Sequence, residues 1–264
     1  MEIYVQTRGL SQDYDYCWLR ITPESQYPEI PPMLTRPILT STKSEVRITD
    51  LIQSESPSVV LARDNDELLL LVTGMESTKR QDFRGRKIRN SLAWVCQDSE
   101  DNEQLLRALA VQALRGSLKK EVDDAIDFAG DYGFRVDYKA INKLGTPQNV
   151  TNLSANSYLM LGKNSEQLRD DLANQLKENC LPTETGVLVV VTGIKKESTL
   201  TQAGVWRGLS NSIEAATWKR YEEKKSDLEE KGKGRLQLTQ RNSSNLVIFI
   251  LLSIAAIVVS LIVF

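Results

Sequence analysis

SYLMLGKNSEQLRDDLANQLKENCLPTETGVLVVVTG, residues 157–193, decides the fold. SYLMLG is short and apolar, and GVLVVVTG stays apolar up to Thr192-Gly193, as a strand covered on both faces does. Between them, Leu168, Leu172 and Leu176 recur every four residues, a narrow helical stripe. Strand, helix and buried strand in that order predict a right-handed βαβ crossover with parallel strands.

The first half of the chain has a different pattern. MEIYVQ and YCWLRI read as strands joined by a loop. SVVLAR and ELLLLVTG are apolar runs separated by Asp64-Asn65-Asp66, which predicts a hairpin, and the partial alternation of RKIRNSLAWVCQ supplies a third strand. The stretch TPESQYPEIPPMLTRPIL holds five of the eight prolines and is expected to run as an extended loop across the body. Two helices are expected next: NEQLLRALAVQAL after the caps Asp98, Ser99 and Asp101, and LKKEVDDAIDFAG ending near Gly130. FRVDYKAI reads as a strand and NKLGTPQNVTN as a loop. Early hairpins with a later βαβ unit give an α+β or mixed α/β soluble domain, with helices covering the sheet.

One phrase occurs twice. VTGMESTKRQDFRGRKIRNSL at 72–92 aligns with VTGIKKESTLTQAGVWRGLSNSI at 191–213 once Lys195-Lys196 are set aside as an insertion. The alignment keeps Thr73/Thr192, Gly74/Gly193, Glu76/Glu197, Ser77/Ser198, Thr78/Thr199, Arg86/Arg207 and Asn90/Asn211, among others. An internally duplicated strand–loop unit is therefore expected. Loops at the carboxyl ends of strands are common ligand positions. Hydroxyls, backbone N–H groups and a guanidinium can together hold a phosphate or carboxylate, so these fourteen residues are the candidate ligand-binding set. The structural alternative makes Ser and Thr local turn formers and pairs Arg86 with Glu76 and Arg207 with Glu197. The phrase is not a P-loop, and no nucleotide-binding or nucleophile-elbow motif occurs.

The last residues, Leu246 to Phe264, carry no charge; their polar side chains are Ser253 and Ser260. Nineteen residues span roughly 28 Å as a helix, the thickness of a bilayer's hydrocarbon core. This predicts one transmembrane helix over 245–264. Lys231, Lys233, Arg235 and Arg241 before it favour a cytoplasmic body on a single-pass tail anchor. The N-terminus lacks the pattern of a signal peptide. Sequon matches at Asn149, Asn152 and Asn242 are then expected to be chance. Ser253, Ala256 and Ser260 share one stripe of the helix and suit close packing in a homo-oligomer. The organisation expected is a cytosolic domain at 1–213, a charged helical segment and linker at 214–244, and the anchor at 245–264.

Composition narrows the chemistry. Net charge is −2, which gives no general pull toward nucleic acid. There is no histidine, so the commonest general base and metal ligand is missing. Cys17, Cys96 and Cys180 are far apart and suit a reducing compartment; no metal site or cofactor is indicated. Asp13/Asp15 and Asp123/Asp124 do not fall into a catalytic spacing. The leading expectation is a tail-anchored module that senses an anionic ligand or protein partner at the membrane. The alternatives are a membrane-disrupting effector, as in cell defence, and a membrane-tethered enzyme of phosphate chemistry.

Overall fold

A computed structural model describes residues 1–40, 44–53, 56–128, 130–144, 150–154 and 156–222. The chain divides into a compact unit, Met1–Glu223, and a second, Lys224–Phe264. The second lies outside the described residues, and with it the expected anchor and its Ser253/Ala256/Ser260 stripe. Among the described residues no helix is long and apolar enough to cross a membrane.

The strands are β1 (Glu2–Thr7), β2 (Cys17–Ile21), β3 (Gln26–Pro28), β4 (Ile38–Leu39), β5 (Glu45–Val46), β6 (Ser58–Asp64), β7 (Glu67–Gln81), β8 (Lys87–Gln97), β9 (Ile126–Asp127), β10 (Arg135–Val136), β11 (Leu159–Lys163), β12 (Gly186–Thr192), β13 (Arg207–Ser210) and β14 (Lys219–Tyr221). The helices are α1 (Pro32–Thr35), α2 (Glu100–Leu114), α3 (Ser117–Asp124), α4 (Tyr138–Lys143), α5 (Glu166–Glu178) and α6 (Glu197–Gln202). Ten strands form one mixed sheet in the order β14-β11-β13-β12-β6-β7-β8-β1-β2-β3. β13 pairs in parallel with both β11 and β12, and the remaining pairs are antiparallel. The fold is an α+β domain built on this sheet.

The crossover strand–helix–strand is present, with β13 inserted between β11 and β12. A fully apolar β12 suits that place: it has neighbours on both edges and is buried along its whole length. The β6–β7 hairpin turns at Asn65, whose φ of 53° is a left-handed value that asparagine tolerates.

The sheet is buried on both faces. Val59, Leu70, Val72, Leu92, Trp94, Val189 and Val191 pack with Leu109, Leu118, Leu168 and Leu172 of α2, α3 and α5. Val60, Leu69, Leu71, Val95 and Val190 pack with Met33, Ile38, Ile48, Leu51 and Leu200. The second cover is thus α6 together with the proline-rich segment and the short 3-10 turn Ile48–Leu51 beyond it. The proline-rich segment is not wholly extended. Pro32 opens α1, where a missing N–H costs no hydrogen bond, and Pro28 closes the edge strand β3. Each fully buried Leu or Val on these faces contributes about 1.5–3 kcal/mol.

Arg107 joins two helices. It is fully buried on α2 and donates to the carbonyls of Leu176 (3.1 Å) and Asn179 (2.7 Å) at the end of α5 and of Thr151 (3.0 Å). Glu103 lies 3.4 Å from its Nε. A guanidinium at a helix C-terminus meets orphan carbonyls and the negative end of the dipole.

Three expectations are corrected. The helix expected to run to Gly130 ends at Asp124, and Ile126 enters β9, paired with Val136. FRVDYKAI gives only the two-residue β10; Asp137 then caps α4, accepting from the Ala140 N–H at 3.1 Å. The charged helix expected from 214 does not begin there: Lys219–Tyr221 forms β14 against β11. There the edge of β11 pairs Leu159, Met160 and Leu161 with Tyr221, Arg220 and Lys219 instead.

Candidate functional site

β6 has β7 on one edge and β12 on the other, antiparallel to both. Val59 therefore faces Val72 on one side and Val191 on the other, and Ser58 faces Thr73. The two Val-Thr-Gly ends lie at the same end of the sheet, on either side of Ser58. Continuing across, Thr192 faces Ser210. Thr73, Ser58, Thr192 and Ser210 are all buried. Thr73 and Ser58 each donate to the Ser56 carbonyl at 3.3 Å, and the Ser210 hydroxyl accepts from the Ser212 N–H at 3.2 Å. The Thr192 hydroxyl has no hydrogen-bond partner among the described residues.

Gly74 makes the junction possible. Its φ is +70°, and a Cβ there would lie 2.3 Å from the Ser56 carbonyl carbon and oxygen. It stands where the β7–β8 register shifts between Val72 and Met75. Gly193 needs no such freedom, since an added Cβ would meet only Ser56 side-chain atoms at 3.6 Å.

Beyond the glycines the two segments part, so the duplicated unit does not persist as a common local structure. Glu76, Ser77 and Thr78 continue in β7. Glu197, Ser198 and Thr199 open α6, where an acid in the first turn suits the helix dipole. The expected acid–arginine pairs are also absent. Glu76 lies 3.6 Å from Arg89 and 3.9 Å from Lys87, and Glu197 lies 2.8 Å from Lys219. Arg86 is exposed at the hairpin tip and binds Asp82 at 2.7 Å. Burial opposes ionisation of Asp82, but the Arg86 side chain and the Arg86 and Arg84 N–H groups outweigh it and hold the carboxyl down to about 2.

Arg207 is buried at the opposite end of β13. It donates to Gln175 Oε1 (2.7 Å), Asn156 Oδ1 (2.7 Å), the Trp206 carbonyl (3.0 Å) and the Tyr158 carbonyl, with the Trp206 ring 4.1 Å away. Among the described residues no carboxylate lies within ion-pair distance, and burial pulls its pKa down to about 10. It pins strand to helix. Asn211 is exposed and apart from it.

Ser77 and Asn90 join a buried polar cluster, with Thr78 at its exposed edge. Ser77 Oγ accepts from the Arg80 N–H at 2.8 Å. Asp123 accepts from both the N–H and the hydroxyl of Thr78 at 2.7 Å. Arg80 Nη2 reaches Asn90 Oδ1 and, at 3.2 Å, Thr7 Oγ1. Burial lowers the pKa of Arg80. Burial raises that of Asp123, but hydrogen bonds from Ser77 and Thr78 reverse the shift and leave it lowered.

On the α2/α3/α5 side of the strand ends there is a cleft of about 400 Å³. Val59, Val72, Met75 and Val191 form its floor, with Thr73 beside them. Its rim carries Arg115 and Lys119 from the α2–α3 junction, and Asn164, Glu166, Arg169 and Asp170 from the start of α5. Arg115 donates to Asn174 Oδ1 at 2.8 Å and Arg169 to Asn164 Oδ1 at 2.9 Å. Asn164 in turn donates to the Thr192 carbonyl at 3.1 Å. None of Arg115, Lys119 and Arg169 has a carboxylate within 4 Å among the described residues. The repeated phrase thus marks the floor, while the charged rim comes from residues outside it. The rim's trace in the sequence was only that Arg115 and Lys119 bracket the turn Gly116-Ser117, and that Asn164 and Arg169 flank the cap of α5.

Comparison with protein families, curated proteins and solved structures finds no match for this chain.

Proposed function

We propose that the body is a binding module for a small anionic ligand, held in the strand-end cleft, and that residues 245–264 tether it to a membrane with the body in the cytoplasm. The observation that carries the ligand reading is the rim: Arg115, Lys119 and Arg169 outnumber the carboxylates Glu166 and Asp170 around one concavity, and none of the three cations makes an ion pair among the described residues. Arg115 and Arg169 are oriented by neutral amide oxygens, which leaves their charge available to an incoming anion. The position agrees with the rule that ligands of open sheets sit beyond the carboxyl ends of the strands. The tether rests on the uncharged stretch from Leu246 to Phe264 and the basic residues before it.

The test uses full-length protein in neutral-lipid nanodiscs and inorganic phosphate as probe. Saturation at about 100 times Kd should stabilise the body by about 2.7 kcal/mol. Arg115→Gln with Lys119→Gln should remove most of that gain. Deleting 245–264 should move the protein to the soluble fraction with phosphate binding intact. No stabilisation by phosphate at any concentration, or equal stabilisation of the double variant, overturns the ligand reading.

A further inference from the structure

The cleft has two chemistries, and only one of them is anionic recognition. We infer that its ligand is an amphipathic anion: a carboxylate or phosphate carried on a short apolar chain. The inference rests on the cleft reading above and adds the ligand's class. A site built for a bare anion is walled by N–H and hydroxyl donors. This one sets Arg115, Lys119 and Arg169 against the carboxylates Glu166 and Asp170 at the rim, a net cationic edge, and is aliphatic beneath it, with Val59, Val72, Met75, Leu114, Leu118 and Val191 lining the interior. Val59, Met75 and Leu114 keep 6–7% of their surface open, whereas Leu70, Leu109 and Val189 on the same face of the sheet keep none. The cleft floor thus keeps open apolar surface where the centre of that face keeps none.

Size limits the occupant. About 400 Å³ lies toward the small end of ligand sites, which run roughly from 300 to 1,000 Å³. An α-helix, some 10–12 Å across with its side chains, does not fit. A chain of several methylenes does, with its head at Lys119 and Arg115. Such a group can come from a free acyl anion or from a membrane lipid.

The experiment uses full-length protein in neutral-lipid nanodiscs, a diazirine-bearing octanoate as photoprobe, and peptide mapping by mass spectrometry. Labelling is expected on the peptides carrying Val72–Met75 and Leu114–Lys119. Competition by butanoate, hexanoate and octanoate should strengthen about fourfold per methylene, the transfer value of one buried CH₂. Octanol should compete at least tenfold more weakly than octanoate. Lys119→Gln, at a half-buried rim position, should weaken labelling without changing the melting temperature; Met75→Gln should flatten the chain-length series. Repeating the labelling in discs of anionic lipid separates the sources: a lipid ligand suppresses labelling, a free one does not. The inference is overturned if octanol competes as well as octanoate, if the series is flat in the unaltered protein, or if labelling maps elsewhere. Phosphate binding with no octanoate labelling would sink the inference alone; loss of both would sink the ligand reading as well.

Discussion

Gly74→Ala is expected to be among the most damaging single-methyl changes in this protein, and the cost can be worked from geometry. The backbone at Gly74 has φ +70°, a left-handed value that costs an alanine roughly 1–2 kcal/mol. The new Cβ would stand 2.3 Å from the carbonyl carbon and oxygen of Ser56 and 2.5 Å from the nitrogen of Pro57. These are backbone atoms and cannot rotate away, so the entry to β6 must move. Overpacking of this kind costs a further 1–3 kcal/mol or so. The sum is about 2–5 kcal/mol. Two controls separate the terms. Gly85, at the hairpin tip, has φ +74° with nothing within 4 Å of an added Cβ, so Gly85→Ala should show the conformational cost alone. Gly193→Ala, at the matching place in the second phrase, meets only side-chain atoms at 3.6 Å and should stay within about 0.5 kcal/mol of the unaltered protein. Urea unfolding of the full-length protein, followed by fluorescence of the buried Trp94 and Trp206, measures all three. If Gly74→Ala costs no more than Gly85→Ala, the contact with Ser56 does not constrain the junction.

Arg207→Met should destabilise by roughly 3–5 kcal/mol, because it strands the side-chain oxygens of Gln175 and Asn156 and the Tyr158 carbonyl together; unfolding free energies within about 0.5 kcal/mol of each other would mean those acceptors find other partners. Asp82 has a folded pKa of about 2 against an ordinary 3.8, so its contribution is complete above about pH 4 and lost as pH falls through about 2. The stability gap between the unaltered protein and Asp82→Asn should accordingly be constant above about pH 5 and close on acidification; a gap that widens toward low pH has the wrong sign for this mechanism.

Pattern carried the sheet centre well. The hairpin at Asn65, the buried β12 and the stripe of α5 all follow from apolar spacing and turn chemistry. Two of the regions that failed share a cause: their structure depends on a partner strand rather than on their own pattern. Tyr221 is a strand residue because Leu159 lies opposite, and Ile126 because Val136 does. No local periodicity records that. The same holds for the cleft rim. Lys119 and Arg169 are fifty residues apart in the chain, ordinary surface cations in sequence, and meet only because α2, α3 and α5 lie on the same face of the sheet.

The repeated phrase is where sequence and structure bear on each other most closely. After Val-Thr-Gly, the first copy runs into Asp82-Phe-Arg-Gly, whose Asp82 accepts the Arg84 and Arg86 N–H groups and turns the chain back as β8. The second copy runs into Leu200 and Ala203 at helical spacing and Gly204 at φ +63°, which suits a short helix and its exit. The same Glu-Ser-Thr serves both. In the first, Ser77 takes up the N–H groups of Lys79 and Arg80 and Thr78 binds Asp123; in the second, Glu197 faces a helix N-terminus. These polar identities are therefore satisfied by two unrelated backbone needs and do not by themselves mark a shared ligand. What the copies share in space is the valine–threonine end on either side of Val59 and Ser58, and that end is the floor of the cleft.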